Sequence, residues 1–140
     1  MKRLYYILNA TWGLPMTLVG WVAYVCLRAF GLTPQSWGGC TWFCLGEGWG
    51  GLNLGLVIIT DKSADENILN HEFGHSIQNA RYGFFFPFAV AIPSVIRYWQ
   101  REIDAKNGKD LEPYDSAWFE GEATKLGNRY IGYFNKKESL

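Results

Sequence analysis

The segment His71-Glu72-Phe73-Gly74-His75 constrains this chain most, because it contains both histidines of the 140-residue sequence. The two histidines are four residues apart, a spacing that places both imidazole rings on one face of an α-helix, one turn apart. Rings in this arrangement can bind one Zn²⁺, and a glutamate beside them can take a proton from metal-bound water. The pattern therefore predicts a helix in this segment and a metal site on one of its faces.

The flanking residues predict where this helix begins and ends. Residues 63–66, with the sequence SADE, match a capping box, so the helix is expected to begin near Ala64. It should continue to about Tyr82, with Gly83 as a left-handed stop. This gives the histidines a position in the middle of the helix.

The apolar and polar residues of this helix separate into two opposite stripes when they are placed at about 100° per residue. The apolar stripe consists of Leu69, Phe73, Ile77 and Ala80. The opposite stripe consists of His71, His75, Gln78 and Tyr82. A histidine that only filled the core would lie in the apolar stripe, so the pattern favours a binding role for both histidines.

The segments around this helix predict an α+β fold that is mainly helical. Residues 52–60 are rich in Leu, Val and Ile between turn signals, and they predict a strand immediately before the helix. Residues 31–51 are rich in Gly and Trp and predict loops and turns. A last helix is expected to begin with Asp115 or Ser116 as its N-cap, after a polar surface loop over residues 102–113.

A long apolar tract over residues 4–30 is the main indication of membrane contact. From residue 12 to residue 30 it approaches the roughly 20 residues that a membrane span needs. Trp12 and Trp21 are placed to act as interface anchors, so we expect a transmembrane helix here. The alternative is a first helix buried in the core or in a dimer interface. A mean hydropathy of −0.08 is too polar for a polytopic membrane protein.

Residues 84–96 form a second apolar stretch, which contains Pro87 and Pro93. The two prolines and the short length argue against a straight transmembrane helix. A crossing here would also place the motif helix and the last helix on opposite sides of the membrane, where they could not share a metal site. The stretch predicts either an interfacial or re-entrant hydrophobic hairpin or an ordinary core segment.

Length and composition predict a single domain over residues 1–140, with a hydrophobic anchor helix at 4–30 and a zinc-binding core at 45–135. The 13 basic and 13 acidic residues give a formal net charge of +0, so no nucleic-acid partner is expected. The 3 cysteines contain no CxxC pair. They are expected to be free or buried thiols, or else Cys40 and Cys44 pair outside the cytoplasm.

A third metal ligand must come from outside the motif, because a catalytic zinc site takes three protein ligands and a water. No histidine follows the motif, and Glu120 and Glu122 are the obvious carboxylates. They lie about 160° apart on a helix, so only one of them can face the metal. Glu120 shares its face with Ala123 and Gly127, small residues that would let two helices approach closely. The pattern therefore favours Glu120.

The helical HExxH motif and the ExxA element at residues 120–123 together resemble the gluzincin metallopeptidases. The resemblance covers residues 52–130. It implies that His71, His75 and Glu120 bind zinc and that Glu72 acts as general base. The HEFGH and WFExxAT elements are also similar to those of small bacterial membrane-associated proteins.

One position departs from the resembling family. Many gluzincins have an aspartate after the alanine of ExxA, where it orients a histidine ligand, and this chain has Thr124. Asp115 and Asp104 are the candidates to replace that aspartate.

The resulting hypothesis is a membrane-associated zinc peptidase of the bacterial cytoplasmic membrane, which hydrolyses peptide or protein substrates with metal-activated water. The strand at residues 52–60 is expected to pair with an extended substrate, as its counterpart does in the resembling family. Candidates for substrate or oxyanion contacts are Gln78, Tyr114, Tyr130, Arg97 and Arg129. The alternatives are a non-catalytic membrane-anchored zinc-binding or interaction protein, closed by a fourth ligand, and a soluble interaction domain with a chance motif.

Overall fold

The computed structural model describes residues 1–136, which contain five α-helices and a four-stranded sheet. The helices are Lys2–Ala10 (α1), Leu14–Ala29 (α2), Glu66–Tyr82 (α3), Ile92–Lys106 (α4) and Trp118–Asn135 (α5). The strands are Gln35–Trp37 (β1), Cys40–Cys44 (β2), Gly51–Leu54 (β3) and Val57–Thr60 (β4). These elements confirm the prediction of an α+β fold that is mainly helical.

The sheet has the strand order β1-β2-β4-β3, in which β2 and β4 are parallel and the two outer pairs are antiparallel. All four residues of β4 are buried. Ile58 belongs to a cluster with Phe73 of α3, whereas Val57 and Ile59 pack with Leu27 of α2. The two faces of β4 are therefore covered by different helices, and β3 is left as an edge strand beside α3.

The prediction of one strand over residues 52–60 is wrong, because the chain reverses at Gly55 and forms the β3–β4 hairpin. Gly55 has a φ of 69°, and its N–H donates to Asn53 Oδ1 at 2.9 Å. The prediction of only loops and turns over residues 31–51 is also wrong, since β1 and β2 lie there. The glycines flank β2, whose branched and aromatic side chains favour a strand.

The start of α3 differs from the predicted capping box. Asp65 is the N-cap, and its Oδ1 accepts the Ile68 N–H at 3.0 Å. The Ser63 hydroxyl instead donates to Asp61 at 2.8 Å, so it is not free to cap the helix. The helix ends at Tyr82 as predicted, and Gly83 follows with a φ of 55°, but its ψ of −122° is not left-handed helical.

The apolar tract over residues 4–30 forms two helices, α1 and α2, with a bend of 87° between them. Asn79 of α3 holds the corner by donating to Asn9 Oδ1 at 2.7 Å and to Gly13 O at 3.0 Å. Within residues 1–136, no single helix is long and apolar enough to cross a membrane, whereas α1 and α2 taken together satisfy length and composition. The transmembrane helix over residues 12–30 therefore stays a prediction.

The hairpin predicted for residues 84–96 is not formed. The chain continues from α3 through a 3-10 turn at Gly83–Phe85 and a π-helical turn at Pro87–Ala91 into α4. Pro87 lies in the first turn of the π-helical segment and Pro93 in the first turn of α4, positions where proline is tolerated. The core-segment alternative holds for Phe86 and Val90, which are buried, but not for α4, in which no residue is buried. The surface loop predicted over residues 102–113 is shorter than expected, because α4 extends to Lys106.

The predicted N-cap of the last helix, Asp115 or Ser116, is also wrong. Both residues lie in a 3-10 turn at Tyr114–Ser116, and α5 begins at Trp118 after the uncapped Ala117. The Ser116 hydroxyl accepts a hydrogen bond from Arg97 of α4 at 2.8 Å. The Ser116 hydroxyl is therefore used in a tertiary contact and does not cap α5.

A disulfide between Cys40 and Cys44 is excluded by the strand that carries both residues. Four residues of extended chain separate their Cα atoms by about 13 Å, whereas a disulfide requires less than about 7 Å. Both are free thiols, as is Cys26.

α3 and α5 pack backbone against backbone through glycines. Gly74 of α3 faces the Ala123 carbonyl, and Gly127 of α5 faces the Asn70 carbonyl. A Cβ atom at either glycine would overlap with the facing oxygen. The small residues on the Glu120 face of α5 therefore allow the close approach that their sequence pattern predicts.

Asp61 holds the loop between β2 and β3 beside the site. Its Oδ2 accepts the backbone N–H groups of Trp49 and Gly50, both at 2.8 Å, and its Oδ1 accepts the Ser63 N–H at 2.8 Å. These bonds favour the charged carboxylate, the one from Gly50 most, and they lower the pKa of Asp61 to about 2. Gly51 follows directly and lies against Glu72, so this loop positions one wall of the site.

Replacement of Gly127 with alanine should force α3 and α5 apart, because the new methyl group overlaps with the Asn70 carbonyl. We expect a loss of about 1–3 kcal/mol in the free energy of unfolding. Gly132→Ala is the matched control, since a Cβ there meets no atom within 4 Å and alanine should stabilise the helix by up to about 1 kcal/mol. Urea unfolding followed by circular dichroism measures both variants. Equal changes in the free energy of unfolding would contradict the contact between Gly127 and the Asn70 carbonyl.

Asp61→Asn should alter how stability depends on pH. A carboxylate with a lowered pKa in the folded chain stabilises it above the unfolded pKa, and this contribution is lost as pH falls through the folded pKa. The gap in urea midpoint between the parent and Asp61→Asn should therefore be constant at neutral pH. It should shrink as pH falls from about 4 towards the Asp61 pKa of about 2. Asp110→Asn, at an exposed position, is the control. A difference in urea midpoint between the parent and Asp61→Asn that stays the same at every pH would refute the stabilising role of the Asp61 carboxylate.

Candidate metal centre

The packing of α5 on α3 brings together three side chains that can hold a metal ion: His71, His75 and Glu120. Glu120 Oε2 lies 3.0 Å from His71 Nε2 and 3.2 Å from His75 Nε2. The three donor atoms all lie within 4.8 Å of one another. Tetrahedral zinc with bonds of about 2.0–2.1 Å separates its ligand atoms by about 3.3 Å. The three residues therefore fit such an ion with little rearrangement.

The amide of Gln78 determines which ring nitrogen of His75 carries a hydrogen. Gln78 Nε2 donates to Phe119 O and to Glu122 Oε2, both at 2.9 Å. The other amide atom, Oε1, therefore lies 2.8 Å from His75 Nδ1 and must accept the Nδ1 hydrogen. In the neutral ring, Nε2 then points a lone pair at the Glu120 carboxylate, and two acceptors face each other. A proton or a metal ion between them resolves this arrangement, which suits a ligand pair.

Thr124 orients the other histidine. Its Oγ1 lies 2.9 Å from His71 Nδ1, which leaves Nε2 of that ring facing Glu120. The prediction that Asp115 or Asp104 takes this role is wrong, because Asp104 pairs with Lys109 at 2.9 Å and Asp115 lies in the turn before α5. A threonine hydroxyl therefore occupies the place where the resembling family has a carboxylate.

Glu120 is fully buried, and both of its oxygens have partners. Oε1 accepts hydrogen bonds from the hydroxyls of Ser94 and Tyr114, which leaves Oε2 for the histidines. Burial raises the pKa of Glu120, but the hydrogen bonds with His71 and His75 outweigh burial and hold it well below its usual value. The carboxylate is therefore ionised, as a metal ligand must be. Sequence reasoning missed Ser94, which lies inside an apolar stretch and has no signal of its own.

Glu72 lies beside the three candidate ligands and is only 6% exposed. Burial raises the pKa of this carboxyl above its usual value, although the neighbouring His75 and His71 oppose the change. A carboxylate with a raised pKa is a stronger proton acceptor at neutral pH. Its environment is therefore the one that a general base requires.

Two cavities border the site and share Gly51, Glu72 and Tyr114 in their walls. The first, of about 300 Å³, has mostly apolar walls and lies between β3 and the segment from Phe86 to Ile96. The second, of about 320 Å³, lies on the side of His71. The edge available for pairing with an extended peptide is therefore β3 alone, rather than the whole of residues 52–60.

Glu122, the ligand candidate that the sequence did not favour, contacts the Nε2 end of the Gln78 amide, whereas His75 contacts its Oε1 end. Its carboxylate accepts the Tyr82 hydroxyl at 2.7 Å and Arg81 Nη1 at 2.8 Å, in addition to the Gln78 amide. This places Glu120, and not Glu122, beside both histidines. Gln78 is fully buried and acts on His75 rather than lining a cavity.

Three of the candidates for substrate contact lie outside the site. Arg97 donates to the carbonyls of Pro113 and Tyr114 and holds the loop before α5. Tyr130 packs on the hydrophobic core, and Arg129 lies over the ring of Tyr130. Of the five candidates, the structure brings only Gln78 and Tyr114 into contact with the metal-site residues.

No protein-family model, curated protein or solved structure matches this chain. The resemblance to the gluzincins therefore stays a prediction. The arguments for a function rest on the geometry of the site.

Loss of the Gln78 amide should weaken metal binding although no ligand is removed. Gln78→Met keeps the length of the side chain but cannot accept the His75 Nδ1 hydrogen, so zinc affinity should fall about 10–100-fold. The dissociation constant is measured by competition with a chelator at fixed pH, and circular dichroism checks folding. The exposed Gln100→Met is the control, and equal affinities would show that the amide has no influence on the site.

Proposed function

We propose that this chain is a membrane-associated zinc peptidase of the gluzincin type, which hydrolyses peptide bonds. The observation that carries the proposal is the position of Glu120 Oε2 between the Nε2 atoms of His71 and His75, with Glu72 buried beside them. When bound, zinc would polarise the scissile carbonyl and lower the pKa of its water towards about 7.

Glu72 is the general base of this proposal. Its side chain forms part of the wall of both cavities, so a water molecule in either cavity can approach it. Its raised pKa favours proton uptake from the attacking water and later release to the leaving amine. One carboxylate therefore serves both proton transfers.

Tyr114 is the group that we assign to the developing oxyanion. Its hydroxyl lies 3.3 Å from Glu120 Oε1 and lines both cavities. Burial, followed by the charge of Glu120, raises the pKa of Tyr114 far above its usual value, so the hydroxyl stays protonated. To donate to an oxyanion, its one hydrogen would turn away from Glu120 Oε1, which keeps the hydrogen bond from Ser94. Arg97 is held by the carbonyls of Pro113 and Tyr114, and Arg129 and Tyr130 contact each other, so none of the three is assigned this role.

β3 gives the substrate a place to bind. The strand is at the edge of the sheet and contributes Gly51–Leu54 to the wall of the first cavity. An extended peptide that pairs with this edge passes directly over Glu72, with its side chains alternately towards the cavity and away from it.

A closed, non-catalytic zinc site is less well supported. Structural zinc has four protein ligands, whereas the cluster within residues 1–136 has three suitable side chains. The buried Glu72 next to an open coordination position has no purpose in a purely structural site.

The location at the bacterial cytoplasmic membrane is part of the same proposal. Large apolar side chains of α1 and α2 are exposed, among them Ile7, Trp21, Val22 and Val25. Exposed apolar surface of this extent usually marks a membrane or a partner interface.

Glu72→Gln and Glu120→Gln separate the roles of base and ligand. Glu72→Gln should keep its zinc and lose about 10²–10⁴-fold in the rate of hydrolysis of an internally quenched peptide. Glu120→Gln should bind zinc more weakly, because the ligand loses its charge. Zinc is measured by elemental analysis and hydrolysis by fluorescence.

The exposed Glu102→Gln serves as the matched control and should behave like the parent. Full zinc content in Glu120→Gln together with loss of zinc in Glu122→Gln would overturn the ligand assignment. Unchanged hydrolysis in Glu72→Gln would overturn the role of this residue as base.

A further inference from the structure

α4 presents its apolar side outwards. Five of its residues lie within about 100° of the helix circumference and are 46% to 64% exposed: Ile92, Val95, Ile96, Trp99 and Ile103. Three residues of the preceding turns are 57% to 66% exposed: Phe84, Phe85 and Phe88. We call these eight residues the α4 apolar face.

The polar side of α4 attaches the helix to the rest of the chain. Arg97 donates to Tyr114 O at 3.1 Å, and Arg101 donates to Glu112 O at 2.6 Å. This is the reverse of an ordinary amphipathic helix, which turns its apolar side to the core. The contacts of the arginines therefore hold the α4 apolar face away from the protein.

Basic residues predominate in the segments with exposed apolar surface, and the acidic residues of α4, Glu102 and Asp104, lie in its last turns beside Ile103. From Phe73 to Arg101 the sequence has three arginines and neither Asp nor Glu. The first 46 residues, which include α1 and α2, contain Lys2, Arg3 and Arg28 and again no acidic residue. In a chain with a net charge of +0, this separation of charge complements an anionic lipid surface.

We infer that the α4 apolar face lies on an anionic lipid bilayer, with α4 parallel to the membrane plane. Aromatic and aliphatic side chains on one side of a helix and arginines on the other are typical of helices that bind at the interface. The 15 residues of α4 extend about 22 Å, which is too short to cross a hydrocarbon core of about 30 Å.

The first cavity of the site opens on this face. Ile92, Val95 and Ile96 belong both to the α4 apolar face and to the wall of the cavity that contains Glu72 and His75. A bilayer on the face therefore adjoins the cavity mouth. The substrate that follows, which rests on the proposed function, is a peptide segment with a large apolar side chain held at the membrane surface.

A fluorescent probe on two sides of α4 tests the inference. The full chain, with Cys26→Ser and Cys44→Ser, receives either Ile96→Cys at the cavity mouth or Ala105→Cys. Ala105 is also exposed and lies about 180° from Ile96 around the helix. Each variant is labelled with nitrobenzoxadiazole and mixed, free of zinc, with vesicles of phosphatidylcholine with or without phosphatidylglycerol.

The probe at position 96 should shift its emission to shorter wavelength with the anionic vesicles and be quenched by spin-labelled lipid. The probe at position 105 should stay in water. An unshifted probe at position 96, or equal shifts at both positions, would overturn the inference. A shift at position 96 that depends on protein concentration without vesicles would show that a second copy covers the face, and would overturn it as well.

Trp99→Glu provides an independent measurement. It should weaken partition into the anionic vesicles by about tenfold or more, because it puts a charge into the apolar contact. Leu111→Glu, in the exposed loop after α4, is the control and should change partition little. Equal partition of Trp99→Glu and the parent would contradict the inference. Since these measurements need no zinc, a failure of the peptidase proposal leaves their outcome unchanged.

Discussion

The candidate site depends on one steric condition: the backbones of α3 and α5 must touch. They do so where Gly74 faces the Ala123 carbonyl and Gly127 faces the Asn70 carbonyl. The distances from Glu120 Oε2 to the histidine nitrogens, 3.0 and 3.2 Å, would be lost if the helices moved apart by the width of a methyl group. The fourth position of the HEFGH motif is thus a packing position, and its glycine belongs to the site although it binds nothing.

Once the helices touch, the remaining polar atoms of the three candidate ligands are held by neighbours. His75 Nδ1 is held by Gln78, His71 Nδ1 by Thr124, and the second oxygen of Glu120 by Ser94 and Tyr114. An unpaired buried polar group costs about 1–3 kcal/mol, so each partner both stabilises the fold and fixes the direction of a ligand. The three ligand atoms that these neighbours do not contact, the Nε2 atoms of both histidines and Glu120 Oε2, are the ones that converge on a single point.

Patterns within one element could be predicted from the sequence, whereas contacts between elements mostly could not. The helical periodicity of α3 predicted which side of the helix carries the histidines. The small residues after Glu120 predicted which side of α5 packs against α3. The β3–β4 hairpin was hidden because two short apolar strands joined at Gly55 look like one strand. Ser63 has the right position for a cap but bonds to Asp61, and Ser94 reaches Glu120 only through the fold. Neither contact produces a repeating pattern in the sequence that could predict it.

The orientation of α4 connects the polar site to an apolar surface. Arg97 and Arg101 bind the carbonyls of residues 112–114, the same segment that positions Tyr114 beside Glu120. Ser94, on the first turn of α4, donates to the same oxygen of that carboxylate as Tyr114. The contacts that complete the site are therefore the contacts that turn the α4 apolar face outwards. A change that inverted α4 to bury its apolar side would remove Ser94 and Tyr114 from Glu120, so the exposed surface is a consequence of building the site.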